Sequence, residues 1–237
     1  MNDAPLEPAL EPALEPAERS SIIRDSLGVG LATGAYGVGF GAVSVAAGLT
    51  VAQTCALSLL AFTGASQFAL VGVVAAGGTP LSGALTALLL GTRNTLYGLR
   101  MAPLLAWTGW RRTLGAHVLI DESTAMAVTR PSTATARLAF TWTGASIFVL
   151  WNLATAAGAV AGNALGDPRT YGLDAAVGAA FLALLWPRLH SRANQLVAVA
   201  AAAVALGVVP LVPAGVPVLA AAGVALVAGV LPRRERG

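Results

Sequence analysis

The sequence predicts an all-α integral membrane protein of about seven transmembrane helices, and three observations carry that prediction. Hydrophobic residues make up 56% of the 237 positions and charged residues only 11%, where a soluble domain carries about a quarter charged residues. Mean hydropathy is +0.74, and a soluble fold of this size could not hide so much apolar surface, because its surface-to-volume ratio forces polar side chains outward. The apolar residues fall in runs near the ~20 residues that cross a ~30 Å hydrocarbon core. Alanine and the 27 glycines suit helices that associate through close backbone approach.

In chain order, residues 1–20 form an acidic tail that repeats Leu-Glu-Pro-Ala at Leu6, Leu10 and Leu14. Proline at every fourth position removes backbone donors and opposes a helix, so the tail is expected to be disordered and partly polyproline-like. It lacks the cationic n-region ahead of an apolar core that marks a secretory signal. A membrane domain is expected over 21–232, with spans near 27–47, 51–76, 81–107, 138–162, 173–186, 194–212 and 216–231, and a basic tail over 233–237. Lipid cannot satisfy bare backbone polar groups, so these spans must be helices. The fifth is short, and the last two form a tight hairpin around Pro210 and Pro217.

Arginine placement predicts orientation. Arg111, Arg112, Arg130 and Arg137 follow the third span, Arg188 and Arg192 follow the fifth, and Arg233, Arg234 and Arg236 follow the last. With seven spans all nine lie on one side, which puts the N-terminus outside and the C-terminus in the cytoplasm. Thr63-Gly64-Ala65-Ser66 recurs as Thr143-Gly144-Ala145-Ser146. The recurrence is either chance in a chain rich in Ala and Gly or the trace of a three-helix unit repeated in inverted topology.

The sequence has no HExxH, no P-loop and no dinucleotide fingerprint in a strand-turn-helix context, and Cys55 stands alone in an apolar run without metal-ligand spacing. Six per cent aromatics offers no stacking platform for nucleic acid. Neither an enzyme, nor a metal site, nor a nucleic-acid partner is expected, and the lipid bilayer is the one partner that composition implies. Three polar or glycine-rich clusters interrupt the apolar background. The first is Gly28, Gly30, Gly34, Gly37, Gly39 and Gly41 in the first span. The four-residue spacings Gly30/Gly34 and Gly37/Gly41 put each pair on one helix face for packing, while so many glycines also weaken the helix enough to unwind it. The second is Thr63-Gly64-Ala65-Ser66-Gln67-Phe68, where Gln67 either bonds a neighbouring helix or lines a polar cavity. The third is Thr92-Arg93-Asn94-Thr95-Leu96-Tyr97-Gly98 in the third span, a candidate discontinuous helix. A cation in mid-membrane costs about 2.5–3.5 kcal/mol on insertion scales and should face protein or water with a partner. No acidic residue lies within a span except near the ends, at Asp25 and Asp174. A bound carboxylate would match the Arg93 guanidinium bidentately; the alternative is a structural arginine capping carbonyls.

These elements resemble the AzlC-type branched-chain amino-acid permease family: Tyr36-Gly37-Val38-Gly39-Phe40-Gly41, then 63–68, then Arg93 through Gly98, then Asp121-Glu122-Ser123, and last Gly172-Leu173-Asp174 with Phe181-Leu182-Ala183-Leu184-Leu185. The resemblance implies an exporter of leucine, isoleucine or valine in the bacterial inner membrane, secondary active, without a cofactor, with a small AzlD-type membrane subunit as partner. It implies that Arg93, Asn94 and Tyr97 hold the substrate carboxylate, that Gln67 and Ser66 bond its polar groups, and that Gly64, Gly37 and Gly39 belong to its small surroundings. Asp121 and Glu122 are candidates for coupling, including to protons, or for gating; the other reading of the pair is a solvated loop. Two positions depart from the family pattern. Gly91 stands where the family has asparagine, and Asn94 where it has histidine, so no proton-carrying role transfers to that position. The competing readings are a non-transporting subunit that stabilises the small partner and a carrier of another small carboxylate.

Overall fold

The computed structural model describes residues 14–164, 182, 185–186, 189–212 and 216–230. Among them the structure is helical, with no strand. The helices are α1 (Pro16–Ala46), α2 (Val51–Leu60), α3 (Ala65–Ala75), α4 (Pro80–Leu105), α5 (Gly109–His117), α6 (Asp121–Val128), α7 (Thr133–Ala164), α8 (Arg192–Val208), which runs into a 3-10 turn over Val209–Leu211, and α9 (Val216–Val230). Three stretches are by length and composition long and apolar enough to cross a membrane: α1, α7, and α8 with its 3-10 turn. The expected fifth span lies mostly outside the described residues.

Helix α1 starts at Pro16, inside the stretch expected to be a tail, because a proline at the first turn costs no intrahelical bond. It continues unbroken through its glycines and packs along α7, the most extensive helix pair in the fold. The glycines explain the fit. A Cβ on Gly34 would stand 2.6 Å from Leu150 Cβ, one on Gly37 2.5 Å from Trp151 O, and one on Gly41 2.6 Å from Ala159 N. From the other side, a Cβ on Gly162 would stand 2.7 Å from Val45 Cγ2. Gly30, Gly34, Gly37 and Gly41 are therefore packing residues. The unwinding that so many glycines allow does not occur, since α7 fills the groove they leave.

The expected second span is where the chain breaks. Helix α2 ends at Leu60, α3 begins at Ala65, and Gly64 between them has φ 62° and ψ −100°, which a residue with a Cβ rarely adopts. The expected discontinuous third span is instead the single 26-residue helix α4, with Pro103 only in its last turn. It stays intact because Arg93 and Asn94 send their side chains to carbonyls and a carboxylate on other segments rather than to their own helix.

A second departure lies at 108–137, expected as an inter-helix loop. It folds into α5 and α6, and α6 packs on α7 and α4. The junction is fixed by Ser123, whose hydroxyl donates to Val118 O (2.8 Å) and accepts from Ile120 N (3.0 Å). The two copies of Thr-Gly-Ala-Ser take different places, one at the α2/α3 break and one in mid-α7, so they do not mark equivalent positions of a repeat.

Candidate functional site

Two helix breaks, α2/α3 and α5/α6, are both reached by side chains of α4. A helix that stops inside an apolar region exposes carbonyls that need donors, and four side chains supply them. Gln67 Nε2 donates to Leu57 O (3.1 Å), His117 Nε2 lies 2.9 Å from Leu59 O, Arg93 Nη2 donates to Thr63 O (3.5 Å), and Asn94 Nδ2 donates to Leu119 O (3.3 Å). A carbonyl only accepts, so His117 carries its proton on Nε2 in this arrangement. Arg93 thus reaches the α2/α3 break while its neighbour Asn94 reaches the α5/α6 break, and α4 ties the two together.

The same guanidinium has a counter-ion. Arg93 Nη1 is 2.9 Å from Asp121 Oδ2, and the two side chains keep 25% and 27% of their surface exposed. The expectation of an intramembrane arginine without a built-in carboxylate is therefore overturned. Asp121 heads α6, a position that also favours an anion through the helix dipole. Asp121 is accordingly no solvated loop residue, and Glu122 beside it is half-buried.

Several polar atoms around this joint are buried without a hydrogen-bond partner among the described residues: Arg93 Nε, Asn94 Oδ1, Ser66 Oγ and Gln67 Oε1. Gln67 is 1% exposed. Ser66 Oγ sits 3.6 Å from where a Cβ on Gly91 would stand. That is an ordinary van der Waals distance, so the glycine that departs from the family pattern lies where α4 faces the start of α3 and a Cβ would fit there. Tyr97 is half-buried one turn beyond Arg93, on the same helix face by the i, i+4 rule. Beside Arg93 a cavity of about 1000 Å³ opens between α3, α4 and the C-terminal helices. Among the described residues its walls are nearly all apolar, including Ala69, Gly72, Leu90, Val218 and Leu226, and Arg93 is the charged group on it.

The structure brings Arg93, Asn94, Ser66, Gln67 and Gly64 to the breaks and adds Asp121 to them. It does not bring Gly37 and Gly39 there. Gly37 packs on the Trp151 carbonyl, Gly39 faces open space, and neither lines the cavity beside Arg93. Sequence reasoning missed His117, which caps α2 and packs its ring on Phe148 (5.4 Å between centroids) and Phe62 (6.5 Å). The signal was obscured because His117 closes α5, a helix whose Trp110, Arg111 and Arg112 read as a solvated loop.

The arrangement can hold a small zwitterion or anion at the Arg93 joint, with apolar room for a side chain. A family model described as AzlC protein matches residues 28–165, more than half of the chain and all of α2 through α6. Comparison with curated proteins and with solved structures found no match. The family is one generally associated with branched-chain amino-acid transport. With the glycine seam, the Gln67 break and the Arg93 element all inside the matched region, the chain is a membrane protein that belongs to the AzlC family.

Proposed function

We propose that the chain is a secondary carrier that exports branched-chain or similar small apolar amino acids across the bacterial inner membrane, acting with a small AzlD-type membrane subunit. One observation carries the reading: a guanidinium lodged where two interrupted helices meet, opening onto a cavity whose described walls are mostly apolar. A branched-chain amino acid has the complementary form, a carboxylate for Arg93 beside a small hydrocarbon side chain for walls such as Leu90 and Val218. Interrupted helices are also how carriers present backbone groups to a substrate near mid-membrane. In this reading Asn94, Tyr97, Ser66 and Gln67 surround the substrate's polar end, no chemistry is performed on it, and Asp121 and Glu122 are the groups through which proton coupling would act.

The test is counterflow of labelled leucine or valine in proteoliposomes, with and without the small subunit. Wild type should show saturable counterflow, and both Arg93→Ala and Arg93→Lys should lose at least ~90% of it while still inserting, because bidentate geometry is lost in each. Counterflow retained by both variants would end the carboxylate role of Arg93. Absence of counterflow in wild type with the subunit present would favour a chain that stabilises its partner and carries nothing.

A further inference from the structure

We infer that the Arg93–Asp121 ion pair is itself the recognition element for a zwitterion: the ligand's carboxylate takes Arg93, its ammonium takes Asp121, and the two protein groups part to admit it. This rests on the carrier reading above and adds to it the acceptor for the ammonium group, which fixes the substrate class as α-amino acids rather than simple carboxylates.

Charge balance is the first argument. The pair is neutral as it stands, at 2.9 Å. An incoming carboxylate alone would have to displace Asp121 and leave a net negative site, and an amine alone would leave a net positive one. Either excess charge is heavily penalised away from water. A zwitterion exchanges one ion pair for two and leaves the site neutral. Both of its charges sit on one carbon, so a small separation of Arg93 and Asp121 admits it.

Geometry is the second argument. Both side chains keep about a quarter of their surface, so the pair is a reachable contact rather than a sealed one. Arg93 Nε and Asn94 Oδ1, on adjacent residues, are buried with donor and acceptor capacity unused. The cavity that receives the side chain meets Arg93 directly. The pair also sits among contacts that join other segments. Arg93 also grips Thr63 O at the α2/α3 break through a long 3.5 Å bond, and Asp121 is the first residue of α6. A ligand that parts the pair therefore loosens the contacts joining two interrupted helices, which gives substrate binding a route to movement.

The experiment is competition against labelled leucine by the purified full chain, using unlabelled leucine, 4-methylpentanoate (the same skeleton without the ammonium) and 3-methylbutylamine (the same skeleton without the carboxylate). In wild type each analogue should compete about tenfold or more weakly than leucine, since a site built to bond a polar group rejects the analogue that lacks it. In Asp121→Asn the order should turn: leucine weakens by about tenfold or more, while 4-methylpentanoate gains and matches or exceeds it. Asp121→Glu should keep the wild-type order. A wild type that binds 4-methylpentanoate as well as leucine overturns the inference without any variant, as does an Asp121→Asn protein with an unchanged leucine-to-pentanoate ratio. Either result leaves the carrier reading intact. A wild type that binds neither leucine nor the analogues, with the small subunit added as well as without it, removes both.

Discussion

The same four residues, Thr-Gly-Ala-Ser, occur twice in this chain and fold two ways. At 63–66 they end one helix and start another, with Gly64 at φ 62°. At 143–146 they lie inside the unbroken 32-residue α7. The difference is in the surroundings. The first copy has Gln67, His117 and Arg93 at hand to donate to carbonyls at Leu57, Leu59 and Thr63, so an interruption leaves those three carbonyls paired. The second copy is clamped by close neighbours: Gly144 would meet Val118 Cβ at 3.0 Å if it carried a Cβ, and Ser146 Oγ bonds its own helix at Thr143 O (3.1 Å) and α1 at Ser26 O (3.3 Å). Local sequence permits a break, and tertiary donors decide whether one forms.

The largest effect expected from breaking this contrast is at Gly64. Space around it is open, with nothing within 4 Å of an added Cβ, so Gly64→Val tests backbone strain alone. A β-branched residue forced to φ 62° should lie near the top of the ~1–3 kcal/mol range for strained positions, seen as a lowered melting temperature of the purified protein. Gly144→Ala should change stability far less, because the ~0.5–1 kcal/mol that alanine gains in a helix interior offsets the few tenths of an ångström by which Val118 has to give. If Gly64→Val melts with wild type, the break is not held in this backbone conformation.

A smaller effect is expected at the donors that serve the break. Arg93→Ala removes the cap on Thr63 O and the counter-ion of Asp121 together. Losing one partner of a buried pair typically costs ~3–5 kcal/mol. Here about 2 kcal/mol is expected, because both side chains remain about a quarter exposed. Adding Asp121→Ala should recover part of that loss, since the double variant no longer holds a carboxylate without its guanidinium. A thermodynamic cycle of the two singles and the double measures the coupling. Additive losses would mean that the pair contributes nothing to holding α4 against α6.

These contrasts also show what could be read from the sequence. The apolar runs among the described residues are largely helical, as a bilayer requires, whereas the helices at 109–117 and 121–128 were not read. The four-residue spacings Gly30/Gly34 and Gly37/Gly41 pointed to a packing face, and α7 occupies it. The break in the second run was not legible, because one glycine among 27 carries no mark of its φ. Assigning the break to the Arg93 element instead assumed that a polar residue disrupts its own helix, whereas Arg93 mends another. The counter-ion could have been found. Asp121 and Glu122 are the only carboxylates between Asp25 and Asp167, and an arginine in an apolar span has to find one. They were read as coupling or gating candidates and not as the counter-ion, because the arginines of 111–137 gave their segment the look of a loop.

The smallest predicted effect separates two glycines that sit two residues apart in α1. Gly37 faces α7, where a Cβ would meet Trp151 O at 2.5 Å and Ala154 Cβ at 3.1 Å. Gly39 points away, with nothing within 4 Å. Alanine in a helix interior is favoured over glycine by ~0.5–1 kcal/mol, so Gly39→Ala should stabilise the protein by about that amount, a rise of roughly 1–3 °C in melting temperature for a chain of this size. Gly37→Ala should move in the opposite direction, since the obstacle is backbone that cannot turn aside. The sign difference is the point of the pair. If both alanines stabilise, α1 and α7 lie farther apart than 2.5 Å permits, and the glycines of α1 are then free to serve something other than packing.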